Sequence, residues 1–384
     1  MRILGKGITA QAIQKLYPKA ELFDDGDKEL YDIGSNEQTI ISPGIPPYNY
    51  LVKNTKNKIS DYDLFVTKDK YSIWISGTNG KTTTTQMINT LLKDSLFECG
   101  GNIGTPLAQI QNSDKLILET SSFTLHYTNI AKPNIYVLLP ISEDHLSWHG
   151  TFKEYENAKL KPLAMMDKND IAIVPIKYKN YKTDAKLYTY TNSQDLAKEF
   201  EIDMDKIKFK EPFLIDSLLA LAVQKLVTNK IDYQKINNYI VDKHKVEEFK
   251  DNKNRLWIDD SKATNVDATI WALKGYKDKK IFLILGGDDK DADLNLLFDN
   301  LKQYDLEIFT IGANTQKLYD LSNKYNLKSK KCYELKIAIQ EISNIFKNIN
   351  LELAILSPAA ASFDQFNSYK DRGEQFKKIV NSIR

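Results

Sequence analysis

An α/β fold in three consecutive domains is predicted by three observations. Apolar runs of strand length alternate with helical patterns along the chain. An apolar run that breaks on glycine into a helical stretch occurs three times and divides the sequence. The length of 384 residues, at roughly 150 per domain, gives two to three domains, each able to bury a core.

The first strand is Arg2 to Leu4, followed by the turn Gly5-Lys6-Gly7-Ile8-Thr9-Ala10 and a helix over Ala12 to Leu16. This is the order of the first turn of a nucleotide-binding, Rossmann-like unit. The segment after it is small, with Thr39-Ile40-Ile41 running into the rigid turn from Ser42 to Pro47, and the first domain is placed at 1–70. The second opens on the strand Tyr71 to Ile75, a glycine loop and a helix carrying Met87, Ile88, Leu91 and Leu92. Strands at Lys115 to Leu118, Ile135 to Leu139 and Ile171 to Val174 alternate with helices at Thr151 to Met166 and Pro212 to Val227. That alternation implies a mainly parallel, doubly wound sheet over 71–241. The third domain, 242–384, is Rossmann-like again, with strands at Leu256 to Ile258, Ile281 to Leu285, Glu307 to Ile311 and Leu353 to Leu356. The lysine-rich stretch Lys177 to Lys186 reads as solvated surface.

Composition narrows the class of function. Lys plus Arg (53) against Asp plus Glu (51) leaves a charge of +2, so no global field points to nucleic acid or a membrane. Two cysteines, Cys99 and Cys332, are too few for a disulfide framework or a thiolate metal site, which fits a reducing cytoplasm. The apolar runs fall short of the ~18–20 residues of a membrane span, and the N-terminus carries no apolar signal core. A cytoplasmic monomer is expected. Only four residues are arginine, so Arg372 within Asp371-Arg372-Gly373-Glu374 points to a need for a planar fork.

Gly77-Thr78-Asn79-Gly80-Lys81-Thr82, followed by Thr83, lies between a strand and a helix. Glycines there let backbone N–H groups wrap a phosphate at a helix N-terminus. Lys81 would bridge the outer phosphates and Thr82 would place its hydroxyl on Mg²⁺, which makes this an ATP-binding loop. It is a compact variant, because Ile75 stands where the longer phosphate-loop pattern has its first glycine. Glu119 comes directly off a strand, at the carboxyl edge where ligands bind, in the position of a Mg²⁺ carboxylate. His145, in Ser142-Glu143-Asp144-His145, follows another strand and is a metal-ligand candidate.

Seven ordered motifs carry a family resemblance: Gly77 to Thr82, Gly100 to Gly104, Glu119 to Phe123, Glu143 to His145, Asp260 to Asn265, Gly286 to Lys290 and Leu356 to Phe366. Over almost the whole chain the sequence resembles the ATP-dependent Mur ligases of peptidoglycan synthesis, and the last two motifs look most like the branch that adds D-glutamate. The resemblance implies a first domain for a UDP-sugar, a central ATPase domain and a C-terminal domain for the amino acid. It implies ligation of D-glutamate to UDP-N-acetylmuramoyl-L-alanine through an acyl phosphate, with ATP and two Mg²⁺ ions. Thr82 and Glu119 would hold one ion, and Glu119, His145 and Lys159 the other. Lys159 would do so only as a CO₂-derived carbamate, since an ammonium repels a cation; its spacing alone reads as surface. Lys81, Glu119, His145, Lys159 and Lys262 are the implied catalytic set.

By the same resemblance Asn102 and Ser121 orient the muramoyl-alanine end, and Gly7, Ile8, Thr9, Asp24 and Ser42 meet the uracil nucleotide. Asp260 and Lys245 contact ATP, and Thr264, Lys290, Ser362 and Tyr369 line the amino-acid pocket. Three positions depart from the family pattern: Lys245 replaces an arginine, Tyr369 a phenylalanine, and Pro212 to Asp216 a His-Asn-x-x-Asn run, with Asp216 at the second asparagine. Two other readings stay open. A sister ligase such as folylpolyglutamate synthase begins directly at the phosphate loop, whereas residues 1–70 precede it here. A nucleotide-binding scaffold would bind ATP without amino-acid-dependent turnover.

Overall fold

The computed structural model describes residues 1–290 and 292–383. The described residues form two compact units, one of 1–209 with 213–239 and the other of 210–212 with the residues from 240 onward. The first unit holds two sheets and the second holds one.

The first sheet contains β1 (Arg2–Leu4), β2 (Glu21–Phe23), β3 (Thr39–Ile41) and β4 (Lys58–Ile59), parallel in the order β2-β1-β3-β4. The helix after β1 runs Ile8–Leu16, so it begins four residues before the predicted start and draws Ile8 and Thr9 into its first turn. The central sheet contains β5 (Tyr71–Ser76), β6 (Glu98–Gly101), β7 (Lys115–Glu119), β8 (Ile135–Leu138), β9 (Ile171–Pro175) and β10 (Lys186–Tyr190). All its pairings are parallel, in the order β10-β9-β8-β5-β7-β6. Strands covered on both faces must be apolar throughout, as Ile73-Trp74-Ile75 and Tyr136-Val137-Leu138 are, each fully buried. The chain winds to one side of β5 through β6 and β7 and to the other through β8 to β10. The switch therefore lies beside β5, and the loops after β5, β7 and β8 share one edge, where doubly wound sheets bind ligands. The 177–186 stretch is mostly exposed as predicted, except that Tyr178 and Ala185 are buried and Lys186 opens β10.

The second unit contains β11 (Glu247–Lys250), β12 (Leu256–Asp259), β13 (Lys280–Gly286), β14 (Leu306–Ile311), β15 (Lys328–Tyr333) and β16 (Glu352–Leu356), in the order β11-β12-β16-β13-β14-β15. Only β11 is antiparallel to its neighbour. One face packs on Leu273, Leu297 and Phe298, the other on Phe346, Phe376 and Val380. The outer strand β15 presents exposed Lys328, Lys330 and Lys331. Among the described residues no helix is long and apolar enough to cross a membrane.

Candidate active site

The loop from β5 into the helix Lys81–Leu92 requires its glycines. Gly77 and Gly80 have φ of +140° and +83°. A Cβ on Gly77 would sit 2.6 Å from Leu139 Cβ, and one on Gly80 would sit 2.7 Å from Asp216 Oδ1. Thr78 braces the loop against the segment after β8. Its Oγ1 donates to Ser142 O at 3.0 Å, lies 2.9 Å from Tyr155 Oη and accepts from Ser142 N, while its own N–H donates to Pro140 O. Asp216, on the helix Phe213–Thr228, accepts from Thr84 Oγ1 at 2.8 Å. The residue at the departed asparagine position thus fastens the phosphate-loop helix.

Lys81 folds back over the loop, with Nζ donating to Thr78 O at 2.7 Å and Gly77 O at 3.0 Å. Desolvation lowers its pKa, against the pull of Glu119 and Asp144. Lys159, on the helix Phe152–Met165, is 1% exposed, so the surface reading its spacing suggests does not hold. Its Nζ donates to Gly77 O at 2.7 Å and lies 4.8 Å from the centre of the Tyr155 ring. Burial, and then the charge of Lys81, bring its pKa well below that of an ordinary lysine. Glu119 ends β7 at 2% exposure; its Oε1 accepts from Asn102 Nδ2 at 2.8 Å, and its buried Oε2 has no hydrogen-bond partner. His145 stands at the same edge in a left-handed conformation (φ +54°), half-exposed, with Nε2 3.7 Å from Asp144 Oδ2 and its ring against Phe123. Two lysines and two carboxylates therefore act on one another around the glycine loop, an arrangement suited to phosphate chemistry.

Beside this edge a cleft of about 760 Å³ opens between the first and central sheets. Gly7, Ile8, Thr9, Asp24 and Ser42 line it from one side and Asn102 and Gly104 from the other, so the nucleotide-sugar residues read from sequence meet in one place. Lys6 is held by Asp27 at 2.7 Å and Asp24 at 3.0 Å. Ser121 caps the helix Ser122–Tyr127, accepting from Thr124 N at 3.0 Å.

In the second unit the motif after β12 is wired internally. Asp260 Oδ2 accepts from Ser357 Oγ at 2.6 Å and Oδ1 from Val246 N at 3.2 Å, and burial pushes its pKa up to about 7. Asn265 caps the helix Val266–Leu273 through Ala268 N at 2.9 Å. Lys245 pairs with Asp242 at 2.9 Å, and Lys262 Nζ lies 5.8 Å from the centre of the Tyr369 ring. Thr264 and Lys290 are exposed, the latter at φ +51°, whereas Ser362 is buried. Arg372 is fully buried, and its guanidinium donates to Ser261 Oγ (2.9 Å), Ser261 O (2.8 Å), Ala360 O (3.1 Å) and Ala361 O (3.4 Å). Its fork joins the motif after β12 to the one after β16. His244, Glu247 and Asp259 bring three ligand-type atoms within 4.8 Å of one another, but Lys377 already supplies a cation to both carboxylates, at 2.6 and 3.7 Å.

Residues 75–213 match the family described as the Mur ligase middle domain. A UDP-N-acetylmuramoylalanine–D-glutamate ligase of Campylobacter jejuni is 52% identical over 94% of this chain and 88% of its own length. The chain belongs to that ligase family. The ligase of the same name from Helicobacter pylori is 41% identical, with 98% of both chains covered. The fold is shared with MurF of Thermotoga maritima, solved in complex with ADP, at a TM-score of 0.57 and 15% identity over 99% of this chain and 93% of that one. MurC of the same organism gives 0.56 at 13% identity and 98% coverage of both.

In this ligase the sequence-read residues near the glycine loop do different work. Lys81, Glu119, Lys159 and Asn102 converge on the loop edge, whereas Thr78 and Ser121 use their side chains to hold the loop and a helix cap. Sequence reasoning missed two couplings: the grip of Asp216 on Thr84, and the hydrogen bond by which Asn102 aims Glu119. A polar residue in the first turn of the apolar helix Phe213–Thr228 was the available sign of the former.

Proposed function

We propose that this ligase joins the amine of D-glutamate to the terminal carboxylate of UDP-N-acetylmuramoyl-L-alanine, cleaving ATP to ADP and phosphate, in the cytoplasmic assembly of peptidoglycan precursors. The observation that carries the reading is the convergence of Lys81, Lys159 and Glu119 on a glycine loop beside a cleft able to hold a nucleotide-sugar. In the first step a carboxylate oxygen bonds to the γ-phosphorus as the bond to the ADP oxygen breaks. Two anions must approach, so fixed positive charge has to lie between them, and Lys81 is assigned to the transferring oxygens. The amine of D-glutamate then attacks the acyl carbon, and the tetrahedral intermediate collapses with loss of phosphate and a proton.

Around the loop, Gly77, Asn79, Gly80, Thr82 and Thr83 are assigned to the ATP phosphates, and Asp260 and Lys245 to the same nucleotide. Asn102 and Ser121 are assigned to the alanine end. Lys262 is assigned to the reacting group, and Thr264, Lys290, Ser362 and Tyr369 to D-glutamate, whose two carboxylates need a cation and hydroxyl donors.

The residues present fit a divalent metal, because a buried carboxylate oxygen without a partner, Glu119 Oε2, suits a hard cation. Thr82 and Glu119 would hold one Mg²⁺, and Glu119, His145 and Lys159 as its carbamate a second. When bound, such ions neutralise charge on the phosphate oxygens. Lys159 as an ammonium does not fit a cation, but its burial beside Lys81 favours the neutral amine, the form that adds CO₂.

Phosphate release from ATP, with Mg²⁺ and UDP-N-acetylmuramoyl-L-alanine, is expected to depend on D-glutamate and to fall to background with L-glutamate, L-alanine or no amino acid. Release driven by another amino acid would reassign the substrate. For Lys159→Ala, the same assay is expected to show a loss that short carboxylic acids partly restore; an unchanged rate would remove Lys159 from the site.

A further inference from the structure

The cleft between the first and central sheets holds two buried polar atoms without a hydrogen-bond partner, Ser42 Oγ and Asp61 Oδ1. Ser42 is already assigned to the nucleotide-sugar. Asp61 belongs to no motif read from the sequence, yet its side chain lines the cleft at 7% exposure from the first position of the helix Asp61–Phe65.

The neighbours of Asp61 have structural tasks of their own, while the carboxyl of Asp61 faces the backbone N–H groups of Asp61 and Tyr62 at the helix start. Asp63 receives the backbone N–H groups of Ser60, Asn129, Ile130 and Ala131. Tyr62 donates its hydroxyl to Glu119 O at 3.0 Å, and Gly101 passes so close that a Cβ there would lie 2.6 Å from that hydroxyl. The turn bearing Asp61 is thereby tied to the strand end bearing Glu119, and Asn102, next to Gly101, lines the same cleft while bonding Glu119. An oxygen of a buried carboxyl is costly to leave unpaired, and burial raises the pKa of Asp61 to about 7.

A nucleoside diphosphate is repelled by a carboxylate and suits the part of the cleft lining where the turn Gly5-Lys6-Gly7 leads into the nine-residue helix Ile8–Leu16. We infer that Asp61 accepts a hydrogen bond from a donor group on the sugar-peptide half of the substrate, setting the register in which its terminal carboxylate reaches the Glu119 edge. The inference rests on the function proposed above.

Calorimetric binding of UDP-N-acetylmuramoyl-L-alanine and of UDP alone separates the two. Asp61→Ala is expected to weaken the full ligand about tenfold and UDP less than twofold. Asp61→Asn, which keeps the shape and one acceptor oxygen, is expected to melt as the parent does and to weaken the full ligand about threefold. Equal affinities, or an equal loss for both ligands, in whichever variant folds would overturn the assignment of Asp61. A parent protein that binds the full ligand no better than UDP would overturn the functional reading itself.

Discussion

Replacing Lys81 with alanine is expected to lower the rate of amino-acid-dependent phosphate release by about a thousandfold while leaving the melting temperature within a few degrees of the parent. The size follows from removing one preorganised cation from a site where charge develops, an effect of about 10²–10³ for a single donor. The small effect on folding follows from its contacts: Lys81 Nζ bonds only carbonyls of its own loop, Gly77 O and Thr78 O, while Thr78 Oγ1 and Asp216 hold the loop and its helix from outside. A variant melting normally with more than a tenth of the parent rate would move the phosphate site elsewhere. Asp216→Ala, by contrast, acts on the helix and should disturb folding before chemistry.

The second large effect concerns stability alone. Arg372→Ala would leave Ser261 Oγ and the carbonyls of Ser261 and Ala360 without their donor in a fully buried setting, while Ala361 O would keep the N–H of Asp288. A loss of about 3–5 kcal/mol is expected, or a fall in melting temperature of roughly 10 °C or more. Arg372→Lys should recover little, because a point charge on a flexible stem cannot reach acceptors on two separate motifs at once. Scanning calorimetry decides it, and a lysine variant as stable as the parent would reduce the role of Arg372 to charge.

What could be read in the sequence, and what could not, follows the sheets. The nine strands predicted, from Arg2 to Leu4 through Leu353 to Leu356, are all interior strands of the three sheets. Of the seven not predicted, β2, β4, β6, β10, β11 and β15 are the edges, and the seventh is the short interior strand β3. An interior parallel strand is buried on both faces and reads as an apolar run, whereas an edge such as Lys-Ser-Lys-Lys-Cys-Tyr needs only one covered face. The site divides in a similar way. Glycine spacing and strand ends disclosed Lys81, Thr82, Glu119 and His145. Lys159 required family likeness, because a lysine buried by a tertiary contact looks like any other in a lysine-rich chain. Asp61 carried no local signal, since its significance lies in what the fold leaves opposite it.

The lysines of β15 bear on how the protein behaves in concentrated solution. An outer strand with open N–H and C=O groups is a template on which another molecule can add its own strand. Two copies meeting along β15 would bring Lys328 and Lys331 against the same residues of the newcomer, Lys330 being paired with Glu341 at 2.6 Å, and like charges on facing strands oppose pairing. Acetylating these amines, or screening them with salt, would remove that protection, so growth into aggregates should quicken with ionic strength where surface attraction between opposite charges would instead slow it.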